Sequence, residues 1–239
     1  MTCDKWRVTR KEKQDFLACH WSRATRHLFL MYILPLNRVE DREVINAFIH
    51  AHGFATLITN AGGKTVASHL PVLFDEDANL LRSHMARANE QWKYLETGDE
   101  VLCIFHGPHA YISPSWYVQQ HTVPTWNYAS VHAYGKPSLV DETQLKQIVF
   151  DTTAKFESAM PQPWKIPLSE KEIGAMLKAI VGFKIDILRV EAKFKLGQNR
   201  SREDQEKMLS HLQATAGEES RALAKFIVAQ RKRNLPDCA

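Results

Sequence analysis

The chain has 239 residues, 44% of them hydrophobic and 24% charged, with a net charge of +4. That length can bury a sizeable core in one or two domains, and the balance excludes a disordered, fibrous or collagen-like chain. No apolar run approaches the roughly 20 residues that span a bilayer, and the stretch DFLACHWSRATRHLFL is too rich in His and Arg for a signal peptide. The four cysteines, Cys3, Cys19, Cys103 and Cys238, have neither CxxC pairing nor zinc-ligand spacing, which points to a reducing cytoplasm. The charge is uneven. Residues 1 to 30 hold seven Lys or Arg against three Asp or Glu, whereas residues 31 to 239 balance. A broad basic footprint for nucleic acid is therefore missing from the main domain, although residues 193 to 234 carry ten basic and five acidic side chains.

Residues 1 to 30 show neither strand alternation nor a sustained helical stripe, and Met31 opens a sequence that reads like the start of a folded domain. Residues 1 to 30 are expected to be an amino-terminal extension, disordered or upstream of the true start. Val44, Ile45, Phe48 and Ile49 recur at helical spacing, with Asp41 as cap and Gly53 as stop. The following residues, to about 85, are β-rich runs separated by the turn-forming clusters NAGG and DEDAN, and predict a three-strand meander. A short helix is predicted over 89 to 97, then a buried strand in DEVLCIFHG, and a separate short strand ending at Pro114. Residues 124 to 140 predict a long strand, 142 to 157 and 169 to 180 two helices, and VGFKIDILRVEAKFKL a last barrel strand. Residues 201 to 233 read as helical with a break near Gly217, forming a carboxyl-terminal tail over 201 to 239. The fold class is α+β, mainly β: an antiparallel barrel over residues 31 to 200 with flanking helices.

The clearest candidate for chemistry is the segment from Ser83 to Asn89, where a strand gives way to a helix. Helix-start amides beside a guanidinium form an anion cradle, with His84, Arg87 and Asn89 at hand. The plainer alternative makes Asn89 a cap and Arg87 a solvated surface residue. A second candidate is the aromatic set Trp116, Tyr117, Trp126, Tyr128 and Tyr134, on which a planar ring could stack, or which could simply fill the barrel. The histidines His69, His84, His106, His109, His121 and His132 show no HxxxH or HExxH spacing, so no metal is expected. Ser113 and Ser115 lack a GxSxG elbow, and no catalytic residue stands out.

Taken in order, SHLP at 68 to 71, HMARANEQW at 84 to 92, YISPSWY at 111 to 117, VPTWNYASVHAYG at 123 to 135 and KLGQNR at 195 to 200 resemble the PaiB family of FMN-binding negative transcriptional regulators. The resemblance covers about residues 31 to 233. It implies a split barrel related to the pyridoxamine-phosphate oxidase-like flavoproteins, with FMN as cofactor at the interface of a homodimer. Carried onto this sequence, it places His84, Arg87 and Asn89 near the flavin phosphate. Ser68 and His69 then lie beside the isoalloxazine ring, and Trp126, Asn127 and Tyr128 border it. Gly197 departs from the polar residue that relatives carry before QNR.

Two functions follow from the resemblance. One is a repressor that uses FMN as a structural or sensing ligand, with DNA contacts from Arg231, Lys232 and Arg233 or from the amino-terminal segment, although no helix-turn-helix is evident. The other is a flavin-dependent oxidoreductase, in which the protein orients FMN and the flavin carries the chemistry. A flavin-free structural module is the third reading.

Overall fold

The computed structural model describes residues 31–119 and 121–233. The expectation for residues 1 to 30 lies outside the described residues. From residue 31 onward the described chain forms one compact unit.

A two-residue strand β1 (Arg38–Val39) precedes helix α1 (Arg42–Ala51). Asp41 caps α1 as predicted, its carboxylate accepting from the amides of Glu43 at 2.9 Å and Val44 at 3.3 Å. The apolar stripe of α1 delivers Ile45, Phe48 and Ile49 to the core. Strands β2 (Phe54–Ala61) and β3 (Lys64–Pro71) pair across a two-residue turn. Gly62 and Gly63 there adopt φ of 58° and 76°, the left-handed pair that such a tight hairpin requires.

The predicted meander is corrected at this point. The segment forms four strands, because β4 (Leu73–Asp75) and β5 (Leu80–Ala86) follow, and β5 pairs with β4 and with the last strand rather than with β3. Pro71 has no amide hydrogen to extend the ladder, and the amide of Val72 instead donates to the Gly53 carbonyl at 2.7 Å. Short helix α2 (Trp92–Leu95) leads to β6 (Val101–Ile112), one strand where the sequence suggested two. The register shifts between His106 and His109, so a bulge absorbs Gly107 and Pro108 without ending the strand. A Cβ on Gly107 would lie 2.7 Å from the Phe48 ring, which accounts for glycine at the bulge.

Strand β7 (Thr125–Leu139), helices α3 (Glu142–Glu157) and α4 (Glu170–Leu177) and strand β8 (Ile180–Lys195) occur where the periodicity placed them. The sheet order is β3-β2-β6-β7-β8-β5-β4, with β1 paired to β8. Its two arms approach one another where β3 meets β5. The Ser83 hydroxyl donates to the Pro71 carbonyl across this seam at 2.7 Å. The result is a split antiparallel barrel, filled by inward residues including Leu57, Leu81, Cys103, Phe105, Val131, Phe183 and Ile185.

Helices α5 (Arg202–Ala214) and α6 (Glu218–Arg233) end the described chain. They share the barrel's core: Met208, Leu212, Leu223, Ala224 and Ile227 belong to the same hydrophobic cluster. Phe226 packs edge-on against Phe194 at 5.1 Å and against Phe48 at 5.9 Å.

Candidate functional site

The turn after β5 is held against the β2–β3 hairpin by a chain of side-chain contacts. Asn89 donates through its amide nitrogen to the Ser68 hydroxyl at 2.8 Å, bridging the barrel seam. Its own carbonyl oxygen accepts from the Gln91 amide at 3.1 Å. Gln91, only 1% exposed, donates in turn to the carbonyls of Leu57 and Val66, each at 3.1 Å, and to the Thr59 hydroxyl at 3.2 Å. Sequence reasoning quoted Gln91 within its motif but gave it no role. A polar side chain beside Trp92 and Leu95 was the available signal, and only the strand pairing reveals what it anchors.

His69, exposed on the outer face of β3, meets Thr56 of β2 through Nδ1 at 3.0 Å. Arg87 lies just past β5 and donates through Nε to the Lys178 carbonyl at 2.9 Å and through Nη2 to the Ile180 carbonyl at 3.1 Å. A guanidinium has five N–H donors, so three remain for a ligand. These two bonds tie the turn to the start of β8 and give Arg87 a structural duty as well. His84 stands on β5 opposite Gly182, with its Nδ1 buried and without a hydrogen-bond partner. The structure therefore joins Ser68 and Asn89 across the seam, places Arg87 two residues before Asn89 but turned to the start of β8, and leaves His69 on the outer face of β3 and His84 on β5.

Within one chain Trp126, Asn127 and Tyr128 lie far along the sheet from the turn that bears Arg87. Ala86 pairs with Ile180 at the start of β8, whereas Tyr128 pairs with Lys195 at its end. Fifteen residues (195 − 180) separate these partners, about 50 Å of strand contour, whereas His69 aligns through Thr56 and Ile104 with His132, four residues (132 − 128) or about 13 Å along β7 from Tyr128. Asn127 points into the core, 1% exposed, and donates to the Met208 sulfur at 3.2 Å. Trp126 is 55% exposed and shares the outward face with the half-buried Tyr128. Among the described residues no three His, Cys, Asp or Glu side chains converge as metal ligands. Burial pushes the Cys103 thiol up to about 12, so it is an inert core residue rather than a nucleophile.

Burial also lowers the proton affinity of His52, His84, His106 and His132, in each case as the leading cause. Glu219 opposes the shift at His52, and Glu191 opposes it at His132, where His106 and Lys193 add to it. His109 and His69 add to it at His106. When a folded-state value lies below the unfolded one, the unfolded chain binds more protons as the pH falls. The stability these neutral imidazoles contribute is full above about pH 6.5 and is lost as the pH drops through the lower folded values. The melting temperature of the flavin-free protein is expected to hold between about pH 8 and 7 and to fall between about pH 6.5 and 5. Part of that fall should disappear in His84→Gln. A profile flat over the acid range would show that these rings are solvated in the folded state.

The family model described as "Putative FMN-binding domain" matches residues 31–189. The Bacillus subtilis protein named "Protease synthase and sporulation protein PAI 2" is 36% identical over 209 residues, covering 86% of this chain and 100% of its own length. The chain belongs to the PaiB family. An uncharacterized protein of Aspergillus fumigatus is 31% identical over 251 residues, 82% of this chain and 96% of its own. Among solved structures, the FAD and heme binding protein of Mycobacterium smegmatis superposes with a TM-score of 0.55 at 15% identity, over 70% of this chain and 78% of that one. The flavocytochrome Anf3 of Azotobacter vinelandii gives 0.53 at 18%, over 70% and 73%. These two likenesses concern the fold.

PaiB-family chains of this kind are FMN-binding split barrels, and FMN is the cofactor of this one. The seam residues suit it. A phosphate group takes charge-assisted hydrogen bonds, for which Arg87 retains donors, while Ser68 and Asn89 supply a hydroxyl and an amide. The unpartnered buried Nδ1 of His84 and Oε1 of Gln91 are polar atoms of the sort that a bound group or ordered water satisfies. When bound, FMN supplies the redox-active ring, and the protein's share is to hold and orient it. Among the described residues no helix is long and apolar enough to cross a membrane.

Proposed function

We propose that the chain is a cytoplasmic, homodimeric FMN-binding repressor of the PaiB type, with the flavin held at the β3–β5 seam. The observation that carries this reading is the Asn89–Ser68 hydrogen bond, which places the turn bearing Arg87 beside β3. Arg87 takes the phosphate, His69 and Ser68 flank the ring, and His84 completes a polar wall. Dimerisation is favoured by the outward sheet faces, where Phe54 is 67% exposed. A repressor acting directly on DNA would use the last turn of α6, where Arg231, Lys232 and Arg233 end the described helix. Arg231 is partly committed there, donating to Gln205 at 3.0 Å.

The visible spectrum of the purified protein and its titration with FMN test the cofactor site. Arg87→Ala is expected to weaken FMN about tenfold or more, the scale of one charge-assisted hydrogen bond. The melting temperature of the variant shows whether the lost bonds to Lys178 and Ile180 disturb the fold. Unchanged affinity in a folded variant would remove Arg87 from the site. A scattering mass of one chain with a full complement of FMN would exclude the interface arrangement. Turnover of NAD(P)H by the loaded protein would make it an oxidoreductase.

A further inference from the structure

A cavity of about 420 Å³ is formed where β6, β7 and the start of α6 meet. Its walls include Tyr111, Trp116 and Trp126, with His109, Glu219 and Ser220 at the rim. Tyr111 and Trp126 stand nearly edge to face, 73° apart with centroids at 6.1 Å, so that they form a corner. Trp116 is braced from behind by His211, stacked at 5.3 Å with 13° between the planes. Tyr111 and Trp126 are 46% and 55% exposed, which leaves large aromatic surfaces uncovered beside a carboxylate. Among the described residues no Lys or Arg lines the cavity.

We infer that this cavity is a binding site for the alkylated ammonium group of a small organic cation. The faces of Trp and Tyr carry the negative lobe of the ring quadrupole and attract a cation within about 6 Å. Methyl-bearing ammonium suits such walls better than a bare metal ion, because its carbon surface gains by leaving water while its charge meets the rings. Glu219 supplies the counter-charge, and its Oε2 also lies 3.8 Å from His109 Nδ1. The start of α6 opposes a cation, but a helix terminus amounts to roughly half a positive charge, which the full charge of Glu219 outweighs. An anion, by contrast, would meet Glu219 with no lysine or arginine among the described lining residues to offset it. The cavity lies along the sheet from the residues that we assign to FMN: Ser68 aligns through β2 and β6 with Ala133, seven residues (133 − 126) from Trp126 on β7, and its nearest link to the cavity is His106, which His69 and His109 both influence.

Calorimetric titration of the full chain with choline, and with the uncharged isostere in which tert-butyl replaces trimethylammonium, tests the assignment. Saturable choline binding is expected, with the isostere about tenfold weaker or more, because only the charge differs. Glu219→Gln and Tyr111→Leu should each weaken choline about tenfold. Glu219 is largely exposed and Tyr111 nearly half exposed, and a melting scan of each variant checks that the fold is kept. Equal affinity for the isostere, no saturable choline binding, or choline affinity indifferent to both substitutions would each overturn the site. The comparison of the two ligands on the unaltered protein needs no variant, and FMN content is read separately from the visible spectrum.

Discussion

A chain that ends after Arg200 is expected to give no cooperatively melting protein. The removed helices look polar in sequence, yet they place Met208, Leu212 and Leu223 at 0% exposure and Ile227 at 2%. Full burial of one such side chain contributes about 1.5–3 kcal/mol, so these four contribute roughly 6–12 kcal/mol. Whole domains are stable by only about 5–15 kcal/mol. Truncation would also expose Phe48 and Phe194, which pack on Phe226, and would leave the Val118 amide without the Asp204 carboxylate that accepts it at 2.7 Å. Near-ultraviolet circular dichroism and a thermal scan of the truncated chain provide the check. A sharp transition near that of the full chain would show that the barrel stands alone and the helices are an appendage.

Gln91→Leu should be strongly damaging to the seam. Leucine matches the volume but offers no donor to the Leu57 and Val66 carbonyls or to the Thr59 hydroxyl. Leaving buried polar groups unsatisfied costs about 1–3 kcal/mol each, and with partial relaxation the total is about 3 kcal/mol. For a protein of this size that lowers the melting temperature by roughly 6–12 °C. The same change frees the turn that carries Asn89 and Arg87, so FMN affinity should fall along with stability. Gln91→Glu separates the two effects: it keeps the shape but replaces the donors with a buried carboxylate, and should be worse than leucine in stability. Wild-type melting and wild-type FMN affinity in Gln91→Leu would show that the glutamine is incidental to the site.

Element type was legible along most of the chain because the signals are local. Asp41 caps α1 as its position suggested, and Glu142–Glu157 is helical over the predicted range. The two errors among the strands share a cause. At Pro71 the chain leaves the hairpin for the opposite arm of the sheet, and at Gly107 and Pro108 it stays in the strand through a bulge. Each outcome depends on the partner strand, which adjacent residues do not specify.

The candidate site divides in the same way. Residue types near a strand-to-helix transition marked His84, Arg87 and Asn89, and the ordered motifs marked Ser68 and His69. The sequence alone thus determined the elements and the family resemblance, and it marked the segments proposed to meet a flavin, because caps, turns and periodicity act over a few residues. Only the tertiary structure decided which segments meet. Register puts Trp126 and Tyr128 far from the Arg87 turn, turns Asn127 inward and makes Gln91 the anchor of the seam. It likewise joins the carboxyl-terminal helices to the core, because their narrow apolar stripes acquire meaning only once the barrel offers Phe48 and Phe194 as a surface to cover.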